Sequence, residues 1–316
     1  MRDPTISVVL CTRNGARFLG EQLDSIEYQS RRADELIVVD DCSTDSTTGI
    51  VEAFARKSSI PVRLERNSRP LGIIRNFERA LEYATGTYVA LCDQDDIWMP
   101  SKLEISVSAI SATERERGSA TPILVHSDLR LVGARGELIS DSFFQFQGMR
   151  REHPQPLGEL AIENYVTGCA SVLNRALLDL ALPIPPAALM HDWWLGLVAA
   201  AAGEVITLSD TTVSYRQHGR NAIGATRRSW RRYVFGWSDL VVQLQARRSQ
   251  MRAVLDRVRD IPGASERAAF VVQALEGRGL SAVLRARSYG IRAQRLAPTL
   301  ALQLFLLLGA LGASTR

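Results

Sequence analysis

The segment Tyr88–Asp96, YVALCDQDD, decides the fold: five apolar residues run straight into three acids within four positions. A continuous apolar run of this length reads as a strand buried on both faces of a parallel sheet. Working outward, ELIVVDD at 35–41 repeats the arrangement, with Leu36–Val39 apolar and Asp40-Asp41 at the end. ISVVLC at 6–11 is a third such run, broken at Asn14-Gly15, and Val62–Leu64 is a short fourth. Between the runs lie helical faces: Leu19, Leu23 and Ile26; Ile50, Val51 and Phe54 behind the capping residues Ser43-Thr44-Asp45; and Phe77, Ala80, Leu81 and Ala84. Strands alternating with helices imply an α/β fold with a Rossmann-like, mostly parallel sheet. Right-handed crossovers place the helices on both of its faces.

The composition, 46% hydrophobic and 23% charged over 316 residues, excludes a disordered chain, a collagen-like fibre and a polytopic membrane protein. A chain this long buries a full core without disulfide or zinc support. Cys11, Cys42, Cys92 and Cys169 are far apart, without a CxxC pair or a zinc-like His spacing, so neither a zinc site nor a disulfide framework is expected. The start, MRDPTISVVLC, is too short and wrongly flanked for a signal peptide, which points to the cytoplasm.

After Pro100 the pattern loosens. Ile123–Val132 reads as a strand, 141–160 as a loop of the length binding or lid segments have, and Thr167–Leu173 as a strand. Asp192–Ala201 is helical, and Val205–Leu208 and Thr212–Tyr215 are two short strands. Composition then changes near 222–228. Residues 1–224 carry a net charge of −7, whereas 225–316, with 16 Arg and 5 acids, carry +11. The expected organisation is a domain over 1–222 and an Arg-rich helical tail over 223–316 with an apolar end.

Ligands of open α/β sheets bind beyond the carboxyl ends of the strands, where these acids fall. Acids at loop starts also serve as caps and turn formers, an alternative that holds for 40–45. Three Asp within four residues repel one another unless a cation or a hydrogen-bond network offsets them. Oxygen ligands favour a hard ion, Mg²⁺ or Mn²⁺, whose shell is commonly completed by substrate phosphates.

ISVVLCTRNG, ELIVVDDCSTDST and LGIIRNFERALEYATGTYVALCDQDDIWMPSKL, in this order and spacing, resemble the amino-terminal half of family 2 glycosyltransferases of the GT-A fold. The DQDDIW…P…KL, HDWW and YRQHG strings are similar to bacterial rhamnosyltransferase-like members. The resemblance covers 1–110 and, more weakly, 165–222. It implies that Thr12 and Asn14 lie in a loop touching the nucleotide. Asp41, with Asp40 beside it, would bond the base, and Arg75 would contact phosphate unless it belongs to a solvated helix face. Asp93-Gln94-Asp95 matches the DxD motif, which assigns Asp93 and Asp95 to the metal and the sugar-nucleotide diphosphate. His218 stands within reach of the metal or diphosphate. Asp192 matches the catalytic base, although the family's usual Glu-Asp pair is His191-Asp192 here; read alone, Asp192 could be a helix cap. YRQHG at 215–219 is not the QxxRW string of processive members, so repetitive polymer synthesis is not expected.

These residue types suit inverting transfer, in which a carboxylate takes the acceptor hydroxyl's proton and a divalent cation offsets the charge of the departing diphosphate. The expected donor is a nucleotide diphosphate sugar, dTDP-rhamnose or a UDP-sugar. The expected acceptor is a glycan or a lipid-linked sugar of a bacterial surface polysaccharide. The basic tail implies peripheral contact with the inner face of the cell membrane. Alternatively its helices pack on the catalytic domain or on a second subunit of a homo-oligomer. No nucleic-acid motif accompanies the charge. Two rivals are a non-catalytic membrane-associated assembly protein with this fold and a phosphoryl-accepting signalling module. The latter needs a Lys at a later strand end, and the chain has only Lys57 and Lys102.

Overall fold

The structure, a computed structural model, describes residues 4–218, 237–294 and 296–308. The expected domain boundary and the Arg pairs at 227–228 and 231–232 lie outside the described residues, as does the end of the apolar tail from 309.

The strands β1 (Ile6–Thr12), β2 (Glu35–Asp40), β3 (Val62–Arg66) and β4 (Tyr88–Asp93) are parallel, in the order β3-β2-β1-β4. Helices α1 (Leu19–Glu27), α2 (Thr47–Ala55) and α3 (Ile73–Tyr83) connect them. Alternate side chains of a strand point to opposite faces. Val8 and Leu10 accordingly join the layer containing Leu19, Leu23, Val51 and Phe54, while Val9 joins the layer containing Phe77 and Leu81. The register sets Thr12 beside Asp40 and Cys11 beside Asp93, so three strand ends share one edge.

The second half of the sheet departs from the expected parallel pattern. After β5 (Ile97–Trp98) and α4 (Lys102–Arg117), β6 (Ile123–Gly133) pairs antiparallel with the short β7 (Leu138–Ser140). β8 (Ser171–Asn174) inserts antiparallel between β4 and β6. β9 (Glu204–Gln217) runs parallel to β6 and antiparallel to β5. The two short strands expected over 205–215 are this single β9. Its register against β6 shifts around Asp128, so Ser209-Asp210 forms an irregularity within the strand rather than a turn. The 141–160 segment contains α5 (Phe143–Gln147) and α6 (Pro156–Leu160). It is pinned by the buried Asp128, which accepts hydrogen bonds from Ser142 Oγ (2.5 Å) and Phe144 N (3.1 Å). A single 3₁₀ turn, Gly168–Ala170, replaces the front of the strand expected at 167–173.

α7 (Arg175–Ala181) and α8 (His191–Ala202) cover one face of the sheet. Beyond them stand α9 (Trp237–Arg257), α10 (Ala264–Glu276), α11 (Gly279–Ser288) and α12 (Leu296–Leu308). Leu244, Met251, Val254 and Val271 are buried in the same apolar cluster as Leu195 and Val198 of α8. Several tail arginines also cap this layer. Arg257 donates to the carbonyls of Leu180, Leu182 and Pro183, and Arg267 donates to that of Ala201, the last turn of α8. Cations there complement the partial negative charge of a helix end. Among the described residues no helix is long and apolar enough to cross a membrane.

Because Met251 is wholly buried against this layer, Met251→Ala should cost about 2–5 kcal/mol of stability. Chemical denaturation followed by circular dichroism tests this; an unchanged midpoint would show that α9 does not share the core.

Candidate active site

Each loop at the shared edge is fixed by side chains from its neighbours. Buried Asp40 accepts from Thr12 Oγ1 (2.9 Å), Ser43 N (2.8 Å) and Ser43 Oγ (2.5 Å), so both its carboxylate oxygens hold the first two loops together. Asn14 adopts a left-handed backbone, φ 49°, and its Oδ1 accepts from Thr44 N at 2.8 Å. Gln94, the middle residue of the acid motif, clamps the Arg13 backbone: its Oε1 accepts from Arg13 N (2.8 Å) and its Nε2 donates to Arg13 O (3.1 Å). The clamp lies so close to Gly15 that a Cβ there would meet Gln94 Oε1 at 2.1 Å, which explains the glycine.

Asp41 accepts from Asn67 Nδ2 (2.8 Å), Leu71 N (2.6 Å) and Gly72 N (3.0 Å), with the Arg13 guanidinium at 3.5 Å. Burial pushes its pKa up, but these donors and Arg13 outweigh it and hold the carboxyl below its ordinary 3.8. Arg75 pairs with Glu78 and donates to Ile184 O (2.9 Å), tying α3 to the segment before α8. Its side chain is still 43% exposed, so Arg75 lies on a solvated helix face, and no contact with the acid cluster is seen among the described residues.

At the end of β4 stand Asp93, Asp95 and Asp96. Burial, then Asp95 and Asp192, push the Asp93 pKa up to about 7. Burial, then Asp93 and Asp95, raise Asp96 well above the carboxylate range. Asp96 is fully buried; its Oδ1 accepts from Arg216 N at 3.0 Å, and its carboxyl lies beside the Cys169 thiol. Asp95 Oδ2 meets His218 Nε2 at 2.8 Å, and the His218 ring stacks on Phe18. Arg216 adds a bond from Nε to Asp95 O (3.0 Å) and another to Glu21 (2.7 Å). Ligand atoms of Asp93, Asp96 and Cys169 lie within 4.8 Å of one another. Buried acids that repel one another are a setting in which a cation is stabilising, so the carboxylate set fits a divalent ion.

Asp192 sits one residue inside α8, whose N-cap is Met190, so it is not the cap. Its carboxylate accepts from Asn164 Nδ2 (3.1 Å) and Trp193 N (2.6 Å) at Oδ1 and from Gly168 N (3.0 Å) at Oδ2. His191 turns into the core and stacks on Phe77 at 3.8 Å, and burial lowers its pKa. Trp98 and Trp194 are core residues, and Trp193 donates to Leu160 O.

The structure thus brings Asp93, Asp95, Asp96, His218 and Asp192 to one place, with Thr12, Asn14, Asp40 and Asp41 framing the neighbouring loops. Arg75 stands apart from the acid cluster, at the segment leading into α8. Neither Cys169 nor Arg216 carries a site signal in the sequence, and Lys102 enters there only as a lysine misplaced for a phosphoryl-accepting site. Lys102 is buried with its ammonium 4.6 Å over the Trp98 ring. Burial pulls its pKa down to about 8, opposed by Cys169, Cys92 and Asp96. Polar residues beside apolar runs carry no periodic signal; only the spacing Asp93, Asp96, Lys102 hints at the cluster.

The α/β sheet gathers its acids at the carboxyl ends of the parallel strands, the edge at which open α/β sheets bind ligands. The chain belongs to glycosyl transferase family 2, whose profile matches residues 7–175, more than half of it. It is 33% identical over 132 residues to EpsE of Bacillus subtilis (strain 168), named as a glycosyltransferase, covering 42% of this chain and 48% of that protein. It is 32% identical over 108 residues to the UDP-Glc:alpha-D-GlcNAc-diphosphoundecaprenol beta-1,3-glucosyltransferase WfgD of Escherichia coli, covering 34% of this chain and 42% of that one. The chain therefore spans about half or less of each relative's length. Its fold is similar to that of S. aureus TarS 1–349 in complex with UDP-GlcNAc, with a TM-score of 0.55, 19% identity, and 91% and 88% of the two chains covered. It is likewise similar to the mannosyltransferase PcManGT from Pyrobaculum calidifontis in complex with GDP-Man and Mn²⁺, with a TM-score of 0.54, 19% identity, and 97% and 88% covered. The expected GT-A-like architecture is the one observed.

Asp41 holds its proton less tightly folded than unfolded. Its stabilisation is fully present above its ordinary pKa of 3.8 and is lost as pH falls through the lower folded value. Asp41→Asn should therefore lower the melting temperature at neutral pH, and the gap from the wild type should close in acid. A gap that stays constant across a pH series would refute this account of the loop.

Proposed function

We propose that this protein transfers a sugar, with inversion at the anomeric carbon, from a nucleotide diphosphate sugar to a hydroxyl of a glycan or lipid-linked acceptor during bacterial surface polysaccharide synthesis. The observation that carries this reading is the meeting of two acid groups at one edge: Asp93, Asp95 and Asp96 on one side, and Asp192 near enough to help raise the Asp93 pKa. The donor is dTDP-rhamnose or a UDP-sugar. Family membership, the UDP-GlcNAc held by TarS and the diphosphoundecaprenol acceptor named for WfgD support this choice of chemistry.

Thr12 and Asn14 face the nucleotide, and Asp41 bonds the base. Asp40 holds these loops in place, and Arg75, whose side chain is partly exposed, contacts phosphate. Asp93 and Asp95, with His218 against Asp95, would hold Mg²⁺ or Mn²⁺; PcManGT was captured with Mn²⁺. When bound, the cation offsets the charge developing on the departing nucleoside diphosphate. Asp192 accepts the proton of the acceptor hydroxyl as that oxygen attacks. A carboxylate offers about four lone-pair sites. Three N–H donors occupy Asp192, two on Oδ1 and one on Oδ2, leaving one direction on Oδ2 for the acceptor. The enzyme works in the cytoplasm at the inner face of the membrane, with residues 1–222 as the transferase domain and the basic tail over 223–316 bringing it to its lipid-linked acceptor.

Asp192→Asn should leave UDP binding nearly intact and lower turnover by a factor on the order of 10²–10⁴. Near-wild-type turnover would remove Asp192 from the mechanism. Asp95→Ala should abolish Mn²⁺-dependent UDP binding in calorimetric titration while the protein stays folded. An affinity that is the same with and without Mn²⁺ in the wild type would end the metal assignment.

A further inference from the structure

The last two helices keep an apolar stripe outside the core. On α11, Leu280 and Leu284 stand one turn apart. On α12, Leu300, Leu304 and Leu307 follow at i, i+4 and i+7, and all five are between 48% and 64% exposed. The opposite sides of these helices are satisfied, with Ala282, Val283, Leu302 and Phe305 buried. Arg287 on α11 donates to Gln303 on α12 at 2.8 Å, which sets the two stripes side by side.

The charge around the stripe has one sign. From Gly277 to Arg316 the sequence holds six Arg and no Asp or Glu. Arg278, Arg285 and Arg287 are exposed next to the leucines. A second copy seated on this face would bring Arg against Arg with no acid to offset them. An anionic bilayer supplies both complements, acyl chains for the leucines and lipid phosphates for the guanidinium groups. The described part of α12 has one side buried against the protein and the other exposed, the arrangement of a helix lying along a surface.

The same end of the chain is tied to the acceptor side. Glu163 accepts from Gln294 N at 2.9 Å in the α11–α12 connection, and Arg292 donates to the buried Glu159 at 3.0 Å. Asn164, the next residue after Glu163, bonds Asp192. We propose that the joined leucine faces of α11 and α12 seat the protein on anionic lipid and so present a lipid-linked acceptor to Asp192. The presentation step rests on the transferase reading above; the lipid seat does not.

The test uses the full chain in flotation with phosphatidylcholine–phosphatidylglycerol vesicles and with pure phosphatidylcholine vesicles. The wild type should float with the anionic vesicles, less so as salt rises and screens the arginines. Arg285→Gln with Arg287→Gln should weaken that binding roughly 30-fold at low salt. Leu284→Glu with Leu304→Glu, both at exposed positions, should abolish it. Circular dichroism melts of both variants should match the wild type, as should their UDP–Mn²⁺ affinity and turnover on a soluble acceptor. Wild type that stays at the bottom with anionic vesicles at low salt, or leucine variants that float normally, would overturn the proposal. A dimer in sedimentation velocity that the leucine variants dissolve, without vesicle binding, would overturn it in favour of a second copy. Vesicle binding that persists in a protein unable to bind any nucleotide would uphold the lipid seat and refute the transferase reading instead.

Discussion

Like charges gathered at one sheet edge are the constraint on which the site depends. Parallel register delivers Asp93 beside β1, the following turn adds Asp95 and Asp96, and the start of α8 adds Asp192. Left to themselves these carboxylates would repel one another or take up protons, and the raised pKa of Asp93 and Asp96 records that tendency. The protein answers it with polar and basic groups from three directions. Arg216 bonds the Asp96 carboxylate through its backbone and the Asp95 carbonyl through its side chain; His218 meets the Asp95 carboxylate; and Lys102 lies buried underneath. None of these reaches Asp96 Oδ2 by a hydrogen bond. The repulsion that remains can be relieved by protons, which the raised pKa of Asp93 and Asp96 favours, or by a bound cation.

The parallel half of the fold was legible in the sequence because its strands are buried on both faces and read as unbroken apolar runs ending in acids. The other half was not. β6 reads at 123–132 and β8 reads as starting four residues too early, but their antiparallel pairing carries no sequence signal, and the polar pair Ser209-Asp210 in mid-strand makes β9 look like two strands. Among site residues, Asp93 and Asp95 were readable from spacing, and their convergence with Asp192 followed from resemblance rather than pattern. Arg216 was hidden because its role depends on β9 lying next to β5, a pairing between residues more than a hundred positions apart. Asp40 shows the reverse case. An acid at a strand end looks like a ligand contact, yet both its oxygens are committed to Thr12 and Ser43.

The arginines of the tail, a single excess in the composition, divide in the structure into two populations. Arg257 and Arg267 turn inward and satisfy carbonyls at the ends of α7 and α8, where burial and the helix dipole make a cation useful at any ionic strength. Arg278, Arg285 and Arg287 face outward. Net charge alone could not separate structural from surface arginines; only the position of each relative to a helix end does so.

This division ties the tail to the elements that hold Asp192. The inward arginines and the shared apolar cluster hold α9 and α10 against α8, the helix that carries Asp192. The α11–α12 connection then reaches past α6 to Glu159 and Glu163, beside the Asn164 that orients the Asp192 carboxylate. Gly158 lies so close to this connection that a Cβ there would meet Tyr289 O at 2.4 Å, leaving no room for the two elements to slide apart or together. The α11–α12 connection is thus joined to the surroundings of Asp192 by packed backbone and by the ion pair to buried Glu159. The donor-side acids, fixed at the end of β4 by separate contacts, stay where the sheet puts them.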